Sequence, residues 1–183
     1  RILPEEFQND FIGSLVIDDN NNLLIATNHG LLKLVNDKFV KINKASGLSS
    51  DEVLTLSKDK EGAIWIGTNN GISIFNNDPL VMFNEQNGFE NAYIQTLALK
   101  NNDELLIGSN STGLYSISGT TLKKVQTQSP IDNEIVCAIK KKSNGEFVIG
   151  TRDNGFYITD KNLRPVKKFL KVSDNIIYQV TGI

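Results

Sequence analysis

One histidine and one cysteine narrow the chemistry open to this 183-residue chain. Cys137 has no partner for an intrachain disulfide, and no Cys/His set stands at zinc-ligand spacing. Its neighbours Ile135, Val136, Ala138 and Ile139 mark it as a small core residue. His29 has no carboxylate, Ser or Cys at a spacing that suggests a catalytic pair, so a ligand contact is the most it is expected to provide. Carboxylates are numerous, and spacing alone promotes no two of them to acid and base. Trp65 could stack on a sugar ring, but it lies inside the apolar run Ala63-Ile64-Trp65-Ile66 and is expected in the core. Lys140-Lys141-Lys142 reads as a solvated turn, and Asn110-Ser111-Thr112 fits a glycosylation sequon. No catalytic residue, metal site or cofactor is expected from this inventory.

Asp18-Asp19-Asn20-Asn21-Asn22 offers oxygens at alternate positions, as a calcium loop does. Leu23 stands where such a loop needs Gly, and no Glu follows at the twelfth position, so a plain hairpin turn is expected. The bulk numbers are those of an ordinary globular protein, with 39% hydrophobic and 22% charged residues and a net charge of −2. That balance argues against broad nucleic-acid binding. No apolar run approaches the roughly 18 residues of a membrane helix, and no signal peptide opens the chain. It begins at Arg1 rather than Met, and a segment is expected upstream. The charge is uneven: residues 1–91 carry 7 basic and 13 acidic side chains, residues 92–183 carry 12 and 8. An anionic ligand on the second half, or attraction between opposite ends of two chains, would exploit that difference.

What must position any site is a repeat. Ile64-Trp65-Ile66-Gly67-Thr68-Asn69-Asn70-Gly71-Ile72 returns as Ile25–Leu31, Ile107–Leu114 and Ile149–Phe156, with the aligned isoleucines 41, 41 and 42 residues apart. A period of about 40 to 45 residues points to propeller blades. Ten residues before each isoleucine lies an apolar run, at Ile12–Ile17, Val53–Ser57, Ile94–Leu99 and Ile135–Lys140. Polar turns lead to second strands at Leu23–Ala26, Ala63–Gly67, Glu104–Gly108 and Glu146–Gly150. TxxG turns lead to third strands at Leu31–Val35, Ile72–Asn76, Leu114–Ser118 and Phe156–Thr159. Fourth strands follow at Phe39–Ile42, Leu80–Phe83, Leu122–Val125 and Val166–Phe169.

Four short strands per unit make an all-β chain of antiparallel meanders. The first two strands of each unit are apolar on both faces and need cover on both sides, which stacked blades provide. Lysines in the fourth strands, such as Lys41, Lys123, Lys124, Lys167 and Lys168, suit an outer edge. The reading is one β-propeller segment with units at about 12–42, 53–83, 94–125 and 135–169, and part of a fifth at 176–183. Residues 1–9 are expected to form the outer end of a preceding blade.

Gly47-Leu48-Ser49-Ser50-Asp51-Glu52-Val53, followed by Asp59–Ile72, resembles the two-component-regulator propeller repeat. That repeat fills the periplasmic sensor region of hybrid two-component systems of Bacteroidetes. The resemblance implies non-catalytic, periplasmic sensing, with an oligosaccharide as ligand and a histidine kinase elsewhere in the protein. A propeller-type glycan lyase or glycosidase, or a protein-binding scaffold, are the alternatives. Ser57–Trp65 is also similar to the Asp-box of sialidase propellers, with one residue too many between Asp and Gly. TxxG turns and inter-blade loops fall at the same end of each unit, and there a ligand is expected. They gather Asn28, His29, Asn69, Asn70, Asn110, Arg152 and Asp153, whose amides and guanidinium offer directional donors to hydroxyls or carboxylates. The open blade ends are expected to make a homo-oligomer, head to tail, in preference to a tight four-bladed closure.

Overall fold

The structure is a computed structural model that describes residues 5–75, 81–84, 86, 88–91, 93–111 and 113–170. Sixteen strands among them form four antiparallel four-stranded sheets, each a simple meander. Blade one is β1 (Ile12–Ile17), β2 (Leu23–Thr27), β3 (Gly30–Val35) and β4 (Lys38–Ile42). Blade two is β5 (Val53–Lys58), β6 (Ile64–Thr68), β7 (Gly71–Phe75) and β8 (Val81–Phe83). Blade three is β9 (Ile94–Leu99), β10 (Leu105–Ser109), β11 (Leu114–Ser118) and β12 (Thr121–Val125). Blade four is β13 (Val136–Lys141), β14 (Phe147–Thr151), β15 (Phe156–Thr159) and β16 (Pro165–Phe169). The chain divides into two compact units, residues 1–94 and 95–183. No helix among the described residues is long and apolar enough to cross a membrane.

Each second strand ends one residue later than its sequence pattern suggests, and the TxxG turn explains why. Thr27 and Thr68 join the ladder opposite Gly30 and Gly71. Their hydroxyls donate to the glycine carbonyls at 2.8 and 2.9 Å and accept the N–H of His29 and Asn70. Thr151 makes the same bond to Gly155 at 2.9 Å. A side chain that serves as both donor and acceptor therefore closes the turn from within. At the opposite end of the blades a carboxylate or amide organises the first hairpin. Asp59 Oδ1 accepts from Glu61 and Ala63 N–H, while Asn144 and Asn101 each accept one such bond.

Paired residues in a ladder share a face, so the register shows how the blades stack inside each unit. In the first unit Val16, Leu24, Ala26, Leu31 and Ile42 of blade one pack on Val53, Leu56, Ile64, Ile66 and Phe75 of blade two. Leu48, from the connection between these blades, is buried in the same cluster. In the second unit Ala98, Leu106, Leu114 and Val125 of blade three meet Ile139, Phe147, Ile149 and Tyr157 of blade four, and Ile131 takes the place of Leu48. The two units thus repeat one interface.

The opposite face of blade one departs from the expectation that both faces of the inner strands are covered. Leu15 and Ile17 are 59% and 54% exposed, whereas Leu56, the counterpart of Leu15 in blade two, is 8% exposed. Residues 5–9 are not the outer end of a blade either. Glu5–Phe7 is a 3-10 turn, and Phe7 inserts against Ile25 and Leu32 with Lys41 Nζ 4.9 Å from its ring centre. The partial unit expected at 176–183 lies outside the described residues.

Candidate functional site

At the TxxG-turn end of the blades within each unit, the structure uses most of the residues singled out in the sequence to fasten the chain to itself. Asn28 Oδ1 accepts the Phe11 N–H at 2.9 Å, tying the turn back to the start of β1. Asn69 does the same in blade two, donating to the Glu52 carboxylate at 2.6 Å while its N–H reaches the Glu52 carbonyl. Asn70 donates to the Ser49 carbonyl at 3.3 Å. Beneath it Ser49, Thr68 and Ser73 form a buried hydroxyl chain.

His29 does have a carboxylate, contrary to the reading of the sequence. Its Nδ1 lies 2.7 Å from Asp10 Oδ1, with the Asp10 side chain 4% exposed and that of His29 62% exposed. The buried carboxylate holds the exposed ring by Nδ1, and Asp10 Oδ2 has no partner. Trp65 is half-buried rather than sealed in the core. Its indole N–H donates to Asp59 Oδ2 at 2.9 Å, so the stretch similar to an Asp-box is an internal brace of the hairpin.

In the second unit the turns of neighbouring blades come together. Arg152 Nη2 and Gln95 Nε2 both donate to Asn110 Oδ1, at 2.7 and 2.8 Å. Arg152 N–H bonds the Ile135 carbonyl, which sets the side chain over the Cys137 thiol. Burial pushes that thiol up, and the guanidinium only partly offsets it, so Cys137 stays protonated and unreactive. Arg152 Nε is buried without an acceptor, and Asp153 is exposed beside it. With Asn110 Oδ1 occupied by two donors, what the Asn110–Arg152 pair has left to offer is N–H groups. Gln95 is the member that the sequence pattern did not mark.

The hairpin end of the first unit holds a cleft of about 70 Å3 between Asp18, Lys33, Glu61 and Phe75. That admits a few waters and is far below the roughly 300 Å3 of a small-molecule site. Asp18 and Asp19 are each paired with a lysine, Lys33 at 2.8 Å and Lys58 at 2.9 Å. No group of three or more metal-ligating side chains occurs among the described residues. Asp18 is the hairpin's organiser, accepting the Asn20 and Asn22 N–H groups on Oδ1. Burial opposes its ionisation, but Lys33 and Asn22 outweigh that and hold its pKa at about 2 against an ordinary 3.8.

A depressed folded pKa contributes stability above the unfolded value, and that contribution is lost as pH falls through the folded one. Asp18 should therefore add about 1–2 kcal/mol above pH 4 that disappears towards pH 2, after allowance for solvent screening. Urea midpoints of the wild type and Asp18→Asn should converge across that window. Parallel curves would show that the Asp18–Lys33 contact contributes nothing.

A family model described as the two component regulator propeller matches residues 47–70. This stretch is similar to the two-component-regulator propeller repeat. The β-propeller fold is shared with two solved extracellular domains described as parts of hybrid two component systems of B. thetaiotaomicron. One has a TM-score of 0.72 at 22% identity over 87% of this chain, the other 0.74 at 19% over 93%. The chain spans about a quarter of the length of these domains, 24% in each case. A virginiamycin B lyase from Staphylococcus aureus has the same fold at 12% identity, with a TM-score of 0.70 over 87% of this chain and 56% of the lyase. These likenesses are of architecture, since enzymes and sensor domains share it. No curated protein sequence matches the chain.

Proposed function

We infer that this segment is a non-catalytic, extracytoplasmic sensor element of a hybrid two-component system, and that its ligand is an oligosaccharide. The propeller repeat at residues 47–70 and the extracellular neighbours support the placement. In this reading the periplasm is the compartment and a histidine kinase elsewhere in the polypeptide is the output. The observation that carries ligand binding is the Gln95–Asn110–Arg152 cluster, an amide, an amide and a guanidinium gathered at the turns of two blades, whose chemistry suits sugar hydroxyls and above all the carboxylate of a uronic acid.

Titration calorimetry with an oligogalacturonate and with a neutral oligosaccharide of equal length tests it. Binding should be weakened about tenfold or more by Arg152→Ala, in a variant that circular dichroism shows to be folded at the temperature of the titration. Unaltered affinity in the variant, or chemical-shift changes confined to the hairpins at 58–62 and 141–145, would place binding elsewhere. A second reading, a propeller enzyme such as a glycan lyase or glycosidase, draws on the Asp10–His29 pair, the orienter and base of a catalytic set. Release of sugar products by the purified protein, abolished by His29→Ala, would favour it.

A further inference from the structure

Position 110 has a role in the second unit that its counterparts lack. Asn28, Asn69, Asn110 and Arg152 occupy one register of the repeat. In blades one and two that residue is tied to the chain entering its own blade, Asn28 to the Phe11 N–H and Asn69 to the Glu52 carboxylate. Asn110 is tied to both blades of its unit. Its Oδ1 accepts Gln95 Nε2 of blade three at 2.8 Å and Arg152 Nη2 of blade four at 2.7 Å. Gln95 is the second residue of β9, as Leu54 is of β5, and a leucine there offers its turn asparagine no donor. All three members of the cluster are half-buried.

A primary amide can turn over, and its two orientations present an acceptor or a pair of donors to the same neighbour. Two donors aimed at one oxygen exclude the turned state, because the Asn110 NH2 would then face both the guanidinium and the Gln95 NH2. Asn110 in turn is the acceptor that fixes the head of Arg152, since further back along that side chain Nε is buried without one. We propose that Gln95 is the positioning residue of this site: by fixing the Asn110 amide it sets the Arg152 guanidinium for the carboxylate of an acidic sugar. The inference rests on the reading of the cluster as a sugar site. Paired hydrogen bonds from a guanidinium to a carboxylate need the fork held in one plane, and separate hydrogen bonds to hydroxyls make no such demand. Gln95 therefore governs the choice between acidic and neutral sugars without having to touch either.

Two substitutions in the full chain test this. Gln95→Met keeps the length of the side chain and removes its donor, and Gln95→Leu installs the residue that blade two carries at the same place. Titration calorimetry should show affinity for an oligogalacturonate lowered about tenfold in either variant, with affinity for a neutral oligosaccharide of equal length unchanged. A packing role would lower both alike. The NMR signals of the Asn110 amide and the Arg152 Nε–H give a readout that needs no ligand, and both should shift in Gln95→Met. In Asn110→Asp protein the same substitution should leave the Arg152 signal in place, because a carboxylate has two like oxygens and no orientation for Gln95 to fix. An Arg152 signal that ignores Gln95→Met, or responds to it equally in Asn110→Asp protein, would overturn the proposal, and so would equal losses for the two sugars. Wild-type protein that binds neither sugar, with the NMR pattern as expected, would overturn the sugar reading and keep Gln95 as the residue that places Arg152.

Discussion

Gly71→Ala should destabilise the first unit by about 3–5 kcal/mol, while Gly145→Ala costs only about 1 kcal/mol. Both glycines have positive φ, +106° and +87°, so both variants strain the backbone of an L-residue. The difference lies in what the new methyl meets. At Gly145 nothing lies within 4 Å of the added carbon. At Gly71 it would be driven into the Phe83 carbonyl oxygen, with Asn84 Cα at 3.0 Å behind it. Those atoms are backbone at the end of β8, and no rotamer change can move them aside. Relief would require the outer strand to leave β7, which undoes the Ile72–Phe83 pairing and opens a face that Phe83, 4% exposed, helps to close. Denaturant midpoints of the two variants and the wild type measure this directly. Equal losses would mean that the left-handed conformation alone sets the cost and that β8 yields easily.

The repeat made most of the architecture legible from the sequence. Alternation, turn residues and a 41-residue period locate the strands because a blade is a local object, its neighbours in space being its neighbours in sequence. What the pattern missed lies between blades, where it is thin. Phe7, Leu48, Phe89 and Ile131 occupy one register of the repeat, and all four are buried. The same alignment sets Asp10, Asp51 and Glu134 three residues further on. Each carboxylate then does something different: Asp10 holds His29, Asp51 accepts the Lys44 N–H, and Glu134 takes a tyrosine hydroxyl. Those partners are set by packing and not by spacing, so His29 read alone has no visible carboxylate. Trp65 departs from its expected place in the core for a related reason. An apolar run shows that a strand is buried on average, and it does not show that one indole turns its N–H to Asp59 in the hairpin. Asn110 and Arg152 are legible as turn residues. Their meeting, with Gln95 as the third member, depends on how blades three and four stack.

Removing the hydroxyl of Tyr157 should cost about 2–4 kcal/mol, out of proportion to one oxygen atom. Tyr157 is 1% exposed and donates to Glu134 Oε1 at 2.5 Å, and Glu134 itself is 8% exposed. Burial and the carboxylate together push the tyrosine pKa up, so its proton stays in the bond across the physiological range. Glu134 has little else to lean on. Oε2 is buried without a partner, and Lys168 stands 3.9 Å from Oε1 with its amine 5.0 Å from the centre of the tyrosine ring. In Tyr157→Phe a desolvated carboxylate would keep only that distant amine. The cost is therefore that of an uncompensated charge and not that of a single hydrogen bond. An uncompensated charge has a second consequence. Adding Glu134→Leu to Tyr157→Phe removes the charge along with its donor, so the double variant should recover a large part of the lost stability. A coupling of about 1–3 kcal/mol from the double-mutant cycle would support this. Additive losses would mean that water or a shift of Lys168 satisfies the carboxylate once the hydroxyl is gone.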